Sequence, residues 1–141
     1  MRLYYNFTKQ CRVDEYNCEL GAKPLLYLGE KPLWELQIYN GEPGDAPVAV
    51  DLSNVVSWRA AVDSDWSVST EPMCRTTEGI DKSEADTGLL KIPLNANTIR
   101  FAQALASSKS KDGFFELRGF DINGDVKVII ILNIVCHNAI D

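Results

Sequence analysis

The chain has 141 residues, of which 45% are hydrophobic and 24% charged, with a formal net charge of −6 and a pI near 4.8. This is enough chain for one domain with a real core, and the acidic balance argues against nucleic acid or an anionic membrane as the main partner, because phosphate binding needs a basic surface. The longest apolar run, VIIILNIV, is broken by Asn133 and has the length of a strand, well short of the roughly 20 residues that cross a bilayer.

The N-terminus, MRLYYNFTKQ, lacks the unbroken apolar region of a secretory signal. It alternates instead, with Leu3, Tyr5 and Phe7 on one face and Tyr4, Asn6 and Thr8 on the other, which predicts a strand over residues 2–8. Asn6-Phe7-Thr8 matches a glycosylation sequon, which matters only in a chain secreted by a eukaryotic pathway. Residues 9–22 read as a loop or irregular edge, and 23–28 as a short apolar stretch. In PLWELQIYN, Trp34, Leu36 and Ile38 alternate with Glu35, Gln37 and Tyr39, the pattern of a half-buried strand. NGEPGDAP, at 40–47, is a loop by its Gly and Pro content.

VVSWRAAVD follows, with Val56, Trp58, Ala60 and Val62 expected on one face and Ser57, Arg59, Ala61 and Asp63 on the other. Residues 64–86 read as a polar excursion with at most a short strand. GLLKIPL, at 88–94, is a strand whose end or edge is marked by Pro93. One segment has helical spacing. Ile99, Ala102 and Ala106 recur at that period with Phe101 and Leu105 beside them, and Asn97 or Thr98 can cap the start. Last comes FFELRGFDI, then Asn123-Gly124, then DVKVIIILNIV, which predicts a hairpin with a type I′ turn. The second strand is apolar on both faces, Val128, Ile130, Leu132 and Ile134 against Ile129, Ile131 and Val135. It is therefore expected to be central, or covered on its second face by the helix, another sheet or another subunit.

Seven or so strands with turns between them give an all-β fold. The expectation is an immunoglobulin-like or jelly-roll-like β-sandwich with one short α-helix at about residues 98–107, a single domain over 1–141. The ending at Asp141, just after a long strand, suits the N-terminal part of a longer protein.

Candidate chemistry is sparse. Asp121, Asn123 and Asp125 imitate the first ligands of a calcium loop, but Val126 stands where the glycine should be and Leu132 where the glutamate should be, so no metal or other cofactor is expected. Cys11, Cys18, Cys74 and Cys136 match no zinc spacing. Cys11 and Cys18 could close a small disulfide loop, although buried free thiols suit a reducing compartment. Cys136 and His137 are adjacent in a strand and so point to opposite faces, which argues against a nucleophile–base pair. Asp63 and Asp65 are the nearest approach to paired carboxylates, and Trp66 beside them could stack on a sugar. Glu84 and Asp86 read as solvated acids. Tyr4, Tyr16, Tyr27 and Tyr39 are expected to be partly exposed.

Three blocks in order, PVAVDLSNVVSWRAAVDSDW, GLLKIPLNANTIRFAQAL and FFELRGFDINGDVKVIIILNIVCHNAID, resemble phage tail-fibre and baseplate proteins, in particular the N-terminal domain of upper baseplate proteins. The resemblance covers roughly residues 32–141 and leaves out Met1 to Lys31. It implies a non-catalytic structural domain of a phage or prophage tail, linked to host adhesion. It also implies other tail subunits as partners, often in a homotrimer, and a place in the virion or, prophage-encoded, in the bacterial cytoplasm. Ile129, Ile131 and Val135 are the candidate subunit contacts. The competing reading is a carbohydrate-binding module that holds a cell-surface glycan through Trp66, Asp63 and Asp65 with the exposed tyrosines. A glycoside hydrolase is third.

Overall fold

Alternation decides which side chains of a strand share a face, and here it builds two inner faces. The structure, a computed structural model, describes residues 1–63, 72–106 and 108–138. Among these residues ten strands run in chain order: β1 (Arg2–Asn6), β2 (Cys11–Val13), β3 (Leu25–Tyr27), β4 (Leu33–Asn40), β5 (Val48–Ala49), β6 (Ser57–Asp63), β7 (Cys74–Thr76), β8 (Leu89–Pro93), β9 (Ser110–Phe120) and β10 (Val126–His137). A 3₁₀ turn, Ala85–Thr87, precedes β8, and one helix, α1 (Ile99–Ala104), separates β8 from β9.

The strands form two five-stranded sheets. In sheet A the order is β2-β1-β4, and the far edge of β4 is shared: β8 pairs with Leu33–Gln37 and β5 with Tyr39 and Asn40. Sheet B has the order β3-β10-β9-β6-β7. Both sheets are mixed, because β1 runs parallel to β4 and β3 parallel to β10. The expected all-β sandwich with one short helix is what the chain forms.

Leu3, Tyr5, Trp34, Leu36, Ile38, Leu90 and Ile92 line the inner face of sheet A; Leu26, Trp58, Ala60, Val62, Phe115, Leu117, Ile130 and Leu132 line that of sheet B. The rings of Trp34 and Phe115 meet between the sheets at 5.6 Å. Trp58 lies opposite Gly119, and a Cβ on Gly119 would sit 2.7 Å from the indole and 2.7 Å from Val55. The glycine thus makes room for a tryptophan in the neighbouring strand.

Several expectations are corrected by tertiary contacts. Residues 9–22 contain a strand, β2, antiparallel to β1. Val56 is 42% exposed and stands outside β6, and Val55 is the buried residue instead. The helix is shorter than expected, with Thr98 as its cap: its hydroxyl accepts from Phe101 N at 3.0 Å. Its buried face is Phe101 and Leu105, while Ile99 is 77% exposed. Ile99, Ala102 and Ala106 therefore face water, because the two larger side chains bury more apolar area.

The terminal hairpin forms, but its turn is not type I′. Gly124 has φ +83°, whereas Asn123 is not in the left-handed region. Gly124 N donates to Asp121 O at 3.0 Å, and the Asp121 carboxylate accepts from Asn123 N and Asp125 N at 2.9 and 3.0 Å. A side-chain bracket on the turn has displaced the two-residue geometry, and the register slips between Val126 and Val128 to absorb the extra residue.

Strand β1 stops at Asn6, which is fully buried rather than solvent-facing. Its Nδ2 donates to Asn17 Oδ1 and to Gly41 O, both at 2.8 Å, and its Oδ1 accepts from Lys9 N at 2.9 Å. Asn17, at φ +65°, donates in turn to Glu42 O at 3.0 Å. This network ties three loops together and leaves the sequon asparagine no room for a sugar.

Substitution Gly119→Ala tests the close approach of Trp58. Overpacking of this kind costs about 1–3 kcal/mol, so the urea midpoint should fall with an unchanged m-value; an unaltered midpoint would show that the indole can move aside.

Candidate functional site

The outer face of sheet B carries the most unusual set of side chains. Outward positions follow from the register. Ile129 lies opposite Arg118, which lies opposite Arg59; on the next rung Ile131 lies opposite Glu116, then Ala61, then Arg75. At the far end Val135 pairs with Leu25. The face therefore has an apolar stripe over β10 and β3 and a basic strip over β9, β6 and β7.

The stripe is left partly open, and Gln10–Arg12 with Leu20–Lys23 border its Ile131 end across a small cavity. Ile129 is 46% exposed and Leu25 40%, with Ile131 and Val135 half-buried. The three residues singled out as subunit contacts, Ile129, Ile131 and Val135, thus share one outward face. Strand β10 is flanked on both sides only at Val135–His137, where β3 pairs with it; the expected central place therefore holds for that end alone, and β9 is its one strand neighbour over the remainder among the described residues.

The basic strip has a geometry of its own. Arg118 Nε donates to Glu116 Oε1 at 2.6 Å, and the Arg59 guanidinium sits 4.5 Å from the centroid of the Phe120 ring. Arg75 has no ion pair among the described residues. Together with Ala60 and Ala61 these groups line an open cavity of about 240 Å³. Directly opposed like charges destabilise a sheet; on the Arg59–Arg118 rung Glu116 answers one arginine and the Phe120 ring faces the other, so the strip keeps a net positive charge. The alternation in the sequence marks Arg59 as outward. What it omits is the register that brings Arg75 and Arg118 beside it.

The predicted sugar contacts come together only in part. Asp63 ends β6 on this outer face, opposite Phe114, while Asp65 and Trp66 lie outside the described residues. A different aromatic surface appears on sheet A. Tyr4 and Tyr39 stack at 5.8 Å with planes 23° apart, and Tyr16, 68% exposed, borders a groove of about 380 Å³ with Tyr4, Arg2 and Glu15.

Other chemical candidates are committed to structure. Cys136 is fully buried and its thiol is pushed up to about 12, first by burial and then by the nearby Cys74; Cys74 itself is pushed up to about 11 by burial. His137, on the opposite face, meets Tyr27 edge-on at 5.4 Å. Asp121 spends its carboxylate on backbone N–H groups, that of Asp125 foremost, which hold its pKa below the ordinary carboxylate range. Among the described residues no group of three or more His, Cys, Asp or Glu side chains is placed to hold a metal ion. Glu84 is exposed and pairs with Lys91 at 3.5 Å.

All four cysteines are free, and two of them are not buried as expected: Cys11 is half-exposed and Cys18 exposed. Asp14 faces Cys18 through a backbone bond, and Val13 bridges to Glu19. Cys11 therefore lies further down the ribbon, out of disulfide reach of Cys18.

No helix among the described residues is long and apolar enough to cross a membrane. Comparison of the sequence with protein-family models and with curated proteins finds no match.

Thiol chemistry reports this partition. At pH 8 the native chain should react with iodoacetamide at Cys18 first, while Cys74 and Cys136 stay protonated and enclosed until urea unfolds the protein. Mass mapping that finds Cys136 labelled in the native chain would contradict the burial.

Proposed function

We propose that the chain is a non-catalytic assembly domain that binds another protein subunit over the outer face of sheet B. The observation that carries this reading is the partly open stripe of Leu25, Ile129, Ile131 and Val135 bordered by Arg59, Arg75 and Arg118. Apolar centre and arginine border are the composition that protein interfaces favour. The partner surface should be apolar in the middle and acidic at one side, with the acidic groups answering Arg59 and Arg75. The role is that implied by the resemblance to phage tail-fibre and baseplate domains, a rigid sandwich packed among other tail subunits.

The test uses tail particles purified after prophage induction of the organism that encodes the chain. Quantitative mass spectrometry should find the chain at a fixed ratio to the particle, and Ile129→Asp with Ile131→Asp should abolish incorporation while leaving the purified chain folded. A chain absent from such particles would overturn the tail reading.

A second reading is favoured by the tyrosine groove on sheet A. Stacked Tyr4 and Tyr39, exposed Tyr16 and the Arg2–Glu35 pair at 2.7 Å offer an aromatic platform with polar groups at its border, the combination that holds a sugar ring. On a glycan array the chain should then bind saccharides and lose them with Tyr16→Ala and Tyr4→Ala. An array without signal for the native chain removes this reading.

A further inference from the structure

Three arginines from three strands border one cavity on the outer face of sheet B. Arg59 and Arg118 are direct cross-strand neighbours on β6 and β9, and the Cβ atoms of such neighbours stand roughly 5 Å apart. Arg75, on β7, is one rung along, opposite Ala61, with Glu116 on the far side of that alanine. Ala61 points outward but is short, so the space above it belongs to the longer side chains around it. At about 240 Å³ the cavity is smaller than the roughly 300–1,000 Å³ that take a whole drug-sized molecule. It has room for one small head group.

Donors outnumber acceptors around this space. Arg59 lies over the Phe120 ring, 4.5 Å from its centroid, so its partner is a ring rather than an oxygen. Arg118 gives Nε to Glu116, and Arg75 has no ion pair among the described residues. Three guanidinium groups against one carboxylate leave two positive charges, in a chain whose formal net charge is −6. A single carboxylate is answered by one planar arginine fork. Three forks around one space suit a group with two charges and at least three acceptor oxygens. A phosphate ester carries about −1.5 to −2 and three such oxygens at neutral pH.

We propose that this cavity binds the phosphate group of a small polyhydroxy phosphate ester. Arg75 extends the site. Its other side borders a second open cavity, of about 430 Å³, together with Lys31, Thr77, Glu78 and Asn95. That volume falls within the range for a whole small molecule. Lys31 and Thr77 can donate to hydroxyl oxygens, Glu78 can accept from hydroxyl groups, and Asn95 can do both. A phosphate seated among the arginines therefore leaves its organic body beside these polar side chains, past Arg75. The inference stands apart from the assembly reading and meets it at one point, since the ester and a partner's acidic groups compete for Arg59 and Arg75.

Calorimetric titration of the purified chain with inorganic phosphate and with glucose 6-phosphate, in a buffer without other polyvalent anions, tests the site. Saturable binding of one glucose 6-phosphate per chain is expected, tighter than that of inorganic phosphate. Arg59→Gln and Arg75→Gln should each weaken both ligands at least about tenfold; both side chains are exposed, so the fold survives their replacement. Thr77→Ala should weaken the ester alone, and Lys9→Gln, away from the site, should change neither. Equal affinity for the two ligands overturns the role of the second cavity and assigns the arginines to free phosphate. Absence of binding by both, or binding that Arg59→Gln and Arg75→Gln leave unchanged, overturns the proposal as a whole. Either result leaves assembly through the isoleucine stripe standing.

Discussion

The contact of Trp34 with Phe115 sets the separation of the two sheets. One ring comes from the middle of sheet A, the other from the middle of sheet B, and they meet tilted by 53°. Facing sheets stand roughly 10 Å apart, a gap that two aromatic side chains fill from both sides. Everything adjacent has to fit that gap. Ala60 and Gly119 are small where Trp58 is large, and Leu36, Ile38 and Leu117 complete the layer. The inner residues are therefore fixed by volume as well as by polarity, and the variable chemistry of the chain is pushed to the two outer faces.

Those outer faces differ in kind. Sheet A presents stacked tyrosines and paired charges, sheet B an isoleucine stripe next to arginines. Both faces belong to strands held rigidly by their neighbours, so side chains there keep their positions before any partner arrives. Preorganisation of this sort reduces the ordering cost of association.

Local pattern was enough for the strands that lie half-buried. Trp34, Leu36 and Ile38 could be read inward from alternation alone, and so could Trp58, Ala60 and Val62, because burial on one face imposes a period of two. Short strands were not legible. Strand β2 is stabilised by pairing to β1, and Val48–Ala49 by pairing to the end of β4, so neither carries a pattern of its own. The helix was found, but the spacing of Ile99, Ala102 and Ala106 did not single out its buried side, which Phe101 and Leu105 form because they are larger. The burial of Asn6 was not legible, because nothing in the sequence tells that Asn17 and Gly41 come to meet it. The basic strip was invisible for the same reason: Arg59, Arg75 and Arg118 are far apart in the chain and adjacent only through register.

The parallel pairing of β3 with the end of β10 has a kinetic consequence. Leu25 lies beside Val135, far from it in sequence. A chain made from its N-terminus must carry residues 25–27 without their neighbour until β10 has been synthesised. The same holds for Leu26, whose place in the core lies next to Cys136. Hairpins such as β9–β10 can close early, being local, whereas joining the first third of the chain to sheet B is the step with the longest loop to close. Closing the sandwich is thus a late event, and until it happens the whole outer edge of β10 stands free.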